Sequence, residues 1–188
     1  MRPFLALALA AAIAGCAEPT SPRPEPTTGS DQAPLLGGTL STNPAVVALM
    51  RPGSSSSFCS GTLISPSVVL TAAHCIDMAS VDETLVFFGD DINSTGTKIG
   101  VAAAQQTGNW VDLNTSTQDF DVGLLLLEFG QDPALPVPVN TTPATTLIGQ
   151  PYTVVGFGVN DQQAQTADGK KREGTVLIDD ALDPPPSS

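Results

Sequence analysis

The sequence predicts an all-β fold, and three observations carry the prediction. β-Branched residues are plentiful while aromatic side chains are few. No long stretch keeps a 3.6-residue apolar period. The apolar runs are short and punctuated by Gly, Pro, Ser and Thr, the pattern of strands joined by turns. Residues 35–178 are enough for one globular domain. The formal net charge of -12 argues against nucleic acid and against an anionic membrane surface as partners. No internal repeat is present.

Ahead of that domain, Arg2 and the apolar run over residues 4–14 read as a signal peptide, residues 1–15. The run falls short of the roughly 20 residues a spanning helix needs. It closes on Ile13-Ala14-Gly15-Cys16, which resembles a bacterial lipobox. Small residues suit the cleavage pocket, and the Cys16 thiol is then the acceptor of diacylglycerol, whose two chains anchor stably where one does not. The alternative is an ordinary secretory signal in which Cys16 is incidental. Residues 16–34 carry Pro19, Pro22, Pro24, Pro26 and Pro34 among Ser, Thr, Glu and Gly, and are expected to form a disordered, semi-extended tether. The expected location is exported: held at a bacterial membrane on the periplasmic or cell-surface side, or secreted if Cys16 is not lipidated.

Along the domain, residues 45–50 (AVVALM) form a buried strand by length and composition, and residues 51–57 a loop. Residues 58–64 and 68–71 are two short strands joined by a turn at Ser65-Pro66. The second ends in the small Ala72 and Ala73 directly before His74, the only histidine in the chain. Residues 84–88 and 98–104 are strands around a turn at 89–96. The Asp90-Asp91 pair there lacks the regular ligand spacing of a calcium loop and reads as a solvated turn. In residues 119–128 (DFDVGLLLLE) a carboxylate precedes a continuous apolar strand long enough to be buried. Such a carboxylate is partly desolvated and wants donors, and an imidazole N–H is one. Alternating prolines over 135–139 suit a connector. Residues 151–159 are a strand, 161–172 a polar loop, 174–178 one more strand, and 179–188 a disordered tail.

The string CSGTLIS over residues 59–65, continued by VLTAAHC over 69–75, resembles the histidine segment of the chymotrypsin/trypsin-like serine proteases. Asp121-Val122-Gly123-Leu124-Leu125 is similar to that family's Asp-Ile-Ala-Leu-Leu, with Gly123 for alanine. Asp119, two residues back on the same strand face, is the rival to Asp121. Gly156-Phe157-Gly158 resembles the family's Gly-Trp-Gly. Leu35-Leu36-Gly37-Gly38 resembles the N-terminus of activated members, although Pro34 stands where a basic residue is expected.

The resemblance implies a trypsin-like double β-barrel, with a complete first barrel over residues 35–139 and a partial second barrel over 140–178. It implies His74 as general base, Asp121 as orienting acid, a Cys59–Cys75 disulfide, a polypeptide substrate and no cofactor. With one histidine and that cysteine pair, no metal-ligand cluster remains. No Gly-Asp-Ser-Gly-Gly string follows Gly158, and Ser187 and Ser188 lie beyond three prolines without a glycine-shaped loop for an oxyanion hole. No nucleophile is therefore assigned. Three readings follow: a truncated, lipid-anchored trypsin-like endopeptidase, inactive alone; a pseudoprotease lipoprotein that binds protein partners; or a chain whose missing half is supplied by a second polypeptide.

Overall fold

The computed structural model describes residues 38–108, 120–132, 135–160 and 166–178. The signal segment, Cys16, the tether, Asp119 and the C-terminal tail lie outside the described residues. In chain order the strands are β1 (Thr39–Leu40), β2 (Val46–Met50), β3 (Ser57–Ser65) and β4 (Val68–Thr71), then one short helix α1 (Ala73–Asp77). β5 (Leu85–Phe88), β6 (Thr97–Gln106), β7 (Gly123–Leu127), β8 (Pro151–Gly156) and β9 (Arg172–Leu177) follow. The all-β expectation holds. The helix after β4 was not expected.

Six strands close into an antiparallel barrel in the order β2-β3-β4-β7-β6-β5. Register shifts between Leu49 and Met50, Leu63 and Ser65, and Val101 and Ala103 mark irregularities of the kind that bend strands around a small barrel. Val47, Leu49, Leu63, Val69, Val86 and Leu125 fill the interior. The unbroken apolar character of β2 has a direct cause: all five of its residues are buried. Val47 and Leu49 point into the barrel, while Ala48 and Met50 join Phe87, Ile92 and Phe157 in a second cluster outside it.

β7 corrects the sequence reading. Its four consecutive leucines suggested a strand buried throughout. Instead Leu125 and Leu127 face the core, while Leu124 and Leu126 point outward and are 37% and 44% exposed. A strand of a closed barrel has one inner face, and alternation follows from the two-residue period whatever the outer residues are.

The remaining strands form a separate sheet, β1-β9-β8. β8 and β9 pair along six residues, from Pro151 with Leu177 to Gly156 with Arg172, and β1 adds to the far edge of β9. β9 is thus paired on both edges. Val154, Val176 and Leu177 are exposed apolar side chains on this sheet.

One further expectation changes. Residues 161–172 were read as a polar loop, yet Lys171 is among the most buried residues and Arg172 opens β9. Asp90 is exposed, as a solvated turn requires, and also accepts a hydrogen bond from the Lys171 ammonium at 3.0 Å. Beside them Asp168 pairs with Arg172 at 2.7 Å. Partial burial pushes the Asp168 carboxyl up, but the Arg172 guanidinium and the Lys170 backbone N–H outweigh it and hold it below the ordinary carboxylate value.

Candidate active site

β4 and β7 are neighbours in register, with Thr71 opposite Gly123. The chain leaving β4 and the chain entering β7 are therefore at the same end of the barrel. His74 lies three residues beyond Thr71, and Asp121 two residues before Gly123. Sequence positions 47 apart meet because one strand pair ends there.

The contact is two-pronged. The His74 backbone N–H donates to Asp121 Oδ1 at 2.9 Å, and His74 Nδ1 lies 2.7 Å from Asp121 Oδ2. The first bond explains how α1 starts. Its N-cap position is Ala72, whose side chain caps nothing, so an orphan N–H of the first turn is satisfied by a distant carboxylate instead. The second bond sets the imidazole: a carboxylate accepts, so Nδ1 carries the proton and Nε2 keeps its lone pair. The two side chains are 18% and 28% exposed, enough shielding to strengthen the contact while leaving the ring reachable.

Local geometry delivers Asp121 to this place. Phe120 has a φ of 66°, the left-handed region, and the Val122 N–H donates to the Phe120 carbonyl at 2.7 Å, a tight turn around Asp121. Thr107 donates its hydroxyl to the same Phe120 carbonyl. Gly123 allows the close approach of α1: a Cβ there would lie 2.5 Å from Ile76 Cδ1 and 3.1 Å from the Ala72 carbonyl oxygen. On the neighbouring strand β6, opposite Gly123, Gln106 Nε2 donates to the Ala73 carbonyl at 2.9 Å and to Asp77 Oδ1 at 2.6 Å, holding both ends of the short helix.

The disulfide is formed between Cys59 on β3 and Cys75 on α1, with Cα atoms 6.0 Å apart. It closes a 16-residue separation, a loop whose constraint contributes about 3 kcal/mol through the unfolded chain. Cys59, His74 and Cys75 lie close enough to resemble a metal-binding group, but the two sulfurs are bonded to each other and offer no thiolate.

His74 and the disulfide line a cleft of about 250 Å³. Its other wall comes from β8 and the residues that follow it, including Val154, Phe157 and Val159. β3 grips that wall through two serines. Ser57 donates its hydroxyl to the Phe157 carbonyl at 3.3 Å, and the Phe157 N–H donates to Ser60 Oγ at 2.9 Å. Sequence reasoning named His74, Asp121, Cys59 and Cys75, which the structure brings together. It missed Ser57, Ser60 and Gln106, for which no local pattern gave a signal.

A family model described as Trypsin matches residues 38–178, well over half of the chain. The chain belongs to the trypsin family. Among curated proteins it is 36% identical to trypsin theta of Drosophila melanogaster over 97 residues, covering 50% of this chain and 36% of that protein. It is 30% identical to a trypsin of Saccharopolyspora erythraea over 142 residues, covering 71% of this chain and 60% of the relative. This trypsin-family chain therefore spans between about a third and three-fifths of the length of these two relatives. Among solved structures, mouse-brain neuropsin, described as a serine protease, superposes with a TM-score of 0.65 at 22% identity. That match covers 78% of this chain and 66% of neuropsin. The VesB protease of Vibrio cholerae gives 0.63 at 24% identity, covering 74% and 43%. At these identities the two structures speak to the fold alone.

Proposed function

We propose that this chain carries the base and the orienting acid of a serine endopeptidase. The observation that supports the reading is the two-pronged His74–Asp121 contact at the rim of a cleft. In this reaction His74 Nε2 takes the proton of a serine hydroxyl as that oxygen attacks a peptide carbonyl, and later returns it to the departing amine. Asp121 keeps the proton on Nδ1, so that Nε2 is the basic nitrogen, and stabilises the imidazolium as it forms. These 188 residues hold no Gly-Asp-Ser-Gly-Gly string, and on this reading the nucleophile and the oxyanion donors are supplied by a serine segment not among them. On this reading the 188 residues alone give no fluorophosphonate labelling above background. A polypeptide that includes them and the serine segment is labelled, and His74→Ala abolishes that labelling. Asp121→Asn lowers turnover by about 10⁴-fold, the magnitude known for the archetypal triad of this family. Serine labelling that survives His74→Ala would overturn the assignment.

Export and anchoring form the second part of the proposal. With Cys59 and Cys75 bridged, Cys16 is the one cysteine of three outside the disulfide. An odd thiol in an oxidising compartment calls for a separate role, and acylation within the Ile13-Ala14-Gly15-Cys16 string supplies it. No helix of the described residues is long and apolar enough to cross a membrane. Intact-mass measurement of detergent-extracted protein is expected to show a diacylglyceryl adduct on a chain beginning at Cys16. A mature chain that begins elsewhere, with an unmodified Cys16 thiol or none, would remove the anchor.

A further inference from the structure

The second sheet supplies one wall of the cleft, and one buried charge lies where it meets the barrel. Lys171 is 1% exposed. Its ammonium donates to the Asn43 carbonyl at 2.6 Å and to Asp90 Oδ1 at 3.0 Å, and lies 5.6 Å from the centroid of the Phe157 ring. An ammonium has three N–H donors and no acceptor. Two of them meet a carbonyl and a carboxylate, and the charge lies within cation–π range of an aromatic face, each partner from a different segment. Asn43 lies between β1 and β2, Asp90 between β5 and β6, and Phe157 directly after β8.

The backbone repeats the same connection. The Lys171 N–H donates to the Asp90 carbonyl at 2.8 Å, and the Ser41 N–H to the Lys171 carbonyl at 3.0 Å. Such a group is costly to bury unless paired. Its energetic return depends on all three partners being in place together, so it penalises any arrangement in which the second sheet shifts against the barrel.

We propose that Lys171 is a positioning residue, an internal latch that fixes the β8 end of the cleft wall opposite His74. It acts through Phe157, whose ring it faces and whose backbone Ser57 and Ser60 hold from the other side. His74 and Asp121 are set by β4, β7 and α1 and do not depend on the latch. The latch is independent of what enters the cleft, and so of the peptidase reading.

The chain provides two natural reporters: His74 is its only histidine, and Tyr152, on β8, its only tyrosine. Lys171→Met keeps the aliphatic stem and removes the charge. In the 188-residue chain this variant is expected to shift and broaden the Tyr152 ring resonances and to raise amide exchange across residues 151–178 by at least tenfold. The His74 Nδ1–H resonance and the exchange of β2 to β7 stay as in the parent. Asp90→Asn, at a carboxylate 54% exposed, gives the same pattern more weakly. The double variant is no worse than Lys171→Met alone, because both changes break one contact. If Lys171→Met does not fold, Asp90→Asn decides by the same two resonances. Unchanged Tyr152 signals and exchange in the folded variants, additive effects, or a parallel loss at His74 and in the barrel would each overturn the latch.

Discussion

Asp121 does two jobs with two oxygens. One caps α1 through the His74 backbone N–H, and the other holds the imidazole. An asparagine of the same shape has a single acceptor oxygen, so one of the two donors must lose its partner. Asp121→Asn is therefore expected to release the proton from Nδ1 and favour the Nε2–H tautomer, in a chain that remains folded. Nitrogen-15 spectra of the one imidazole report this directly. A retained Nδ1–H signal in the variant would show that the carboxylate does not set the tautomer. The identities of these residues were legible in the sequence because they sit in long strings with family resemblance, VLTAAHC and DVGLL. The cap was not legible, since it depends on where a strand 47 residues later begins. Lys171 was hidden for a related reason. It lies in the run Gly169-Lys170-Lys171-Arg172, where nothing local separates an exposed lysine from a buried one.

At the scale of elements, most strands were readable from their composition, and their burial was not. The runs in β2 and β7 are equally apolar. β2 is buried on both faces because a second cluster packs outside the barrel against Ala48 and Met50. β7 has no such cover on Leu124 and Leu126 among the described residues. Sequence cannot tell these cases apart, since the difference lies in what a later segment does. The energetic consequence is large. Leu125→Ala, which opens a cavity in the barrel, is expected to cost about 2–5 kcal/mol. Leu124→Thr, on the outer face, is expected to stay within about 0.5 kcal/mol of the parent. Urea denaturation monitored by circular dichroism would measure both. Equal losses at the two positions would mean that the outer face of β7 is also packed. The polar loop expected before residue 173 failed for the converse reason. A charged run was taken as solvated, while one of its members is buried with three partners.

For the whole molecule, the question is whether barrel and sheet unfold as one body. The barrel has its own closed hydrogen-bonding circuit, its own interior and its own disulfide. The sheet has three strands and exposed apolar side chains, with few means of stability except its attachment. That attachment centres on Phe157, 2% exposed, which packs edge-on against Phe87 with ring centroids 6.5 Å apart. Phe157 belongs to the sheet side of this contact and Phe87 to the barrel side. Truncating either ring to alanine removes the same partner contact, at about 3–5 kcal/mol for a buried aromatic, but the losses fall differently. Phe87→Ala weakens β5, so both barrel and sheet should exchange faster. Phe157→Ala should release residues 151–178 alone, and leave β2 to β7 near parental protection in hydrogen-exchange mass spectrometry. Limited proteolysis of that variant should then cut beyond Val139 first, while the barrel persists as a stable fragment. Barrel strands that lose protection in step with the sheet would mean that a single cooperative unit spans both, with Phe157 as a core residue of the whole rather than the anchor of one part.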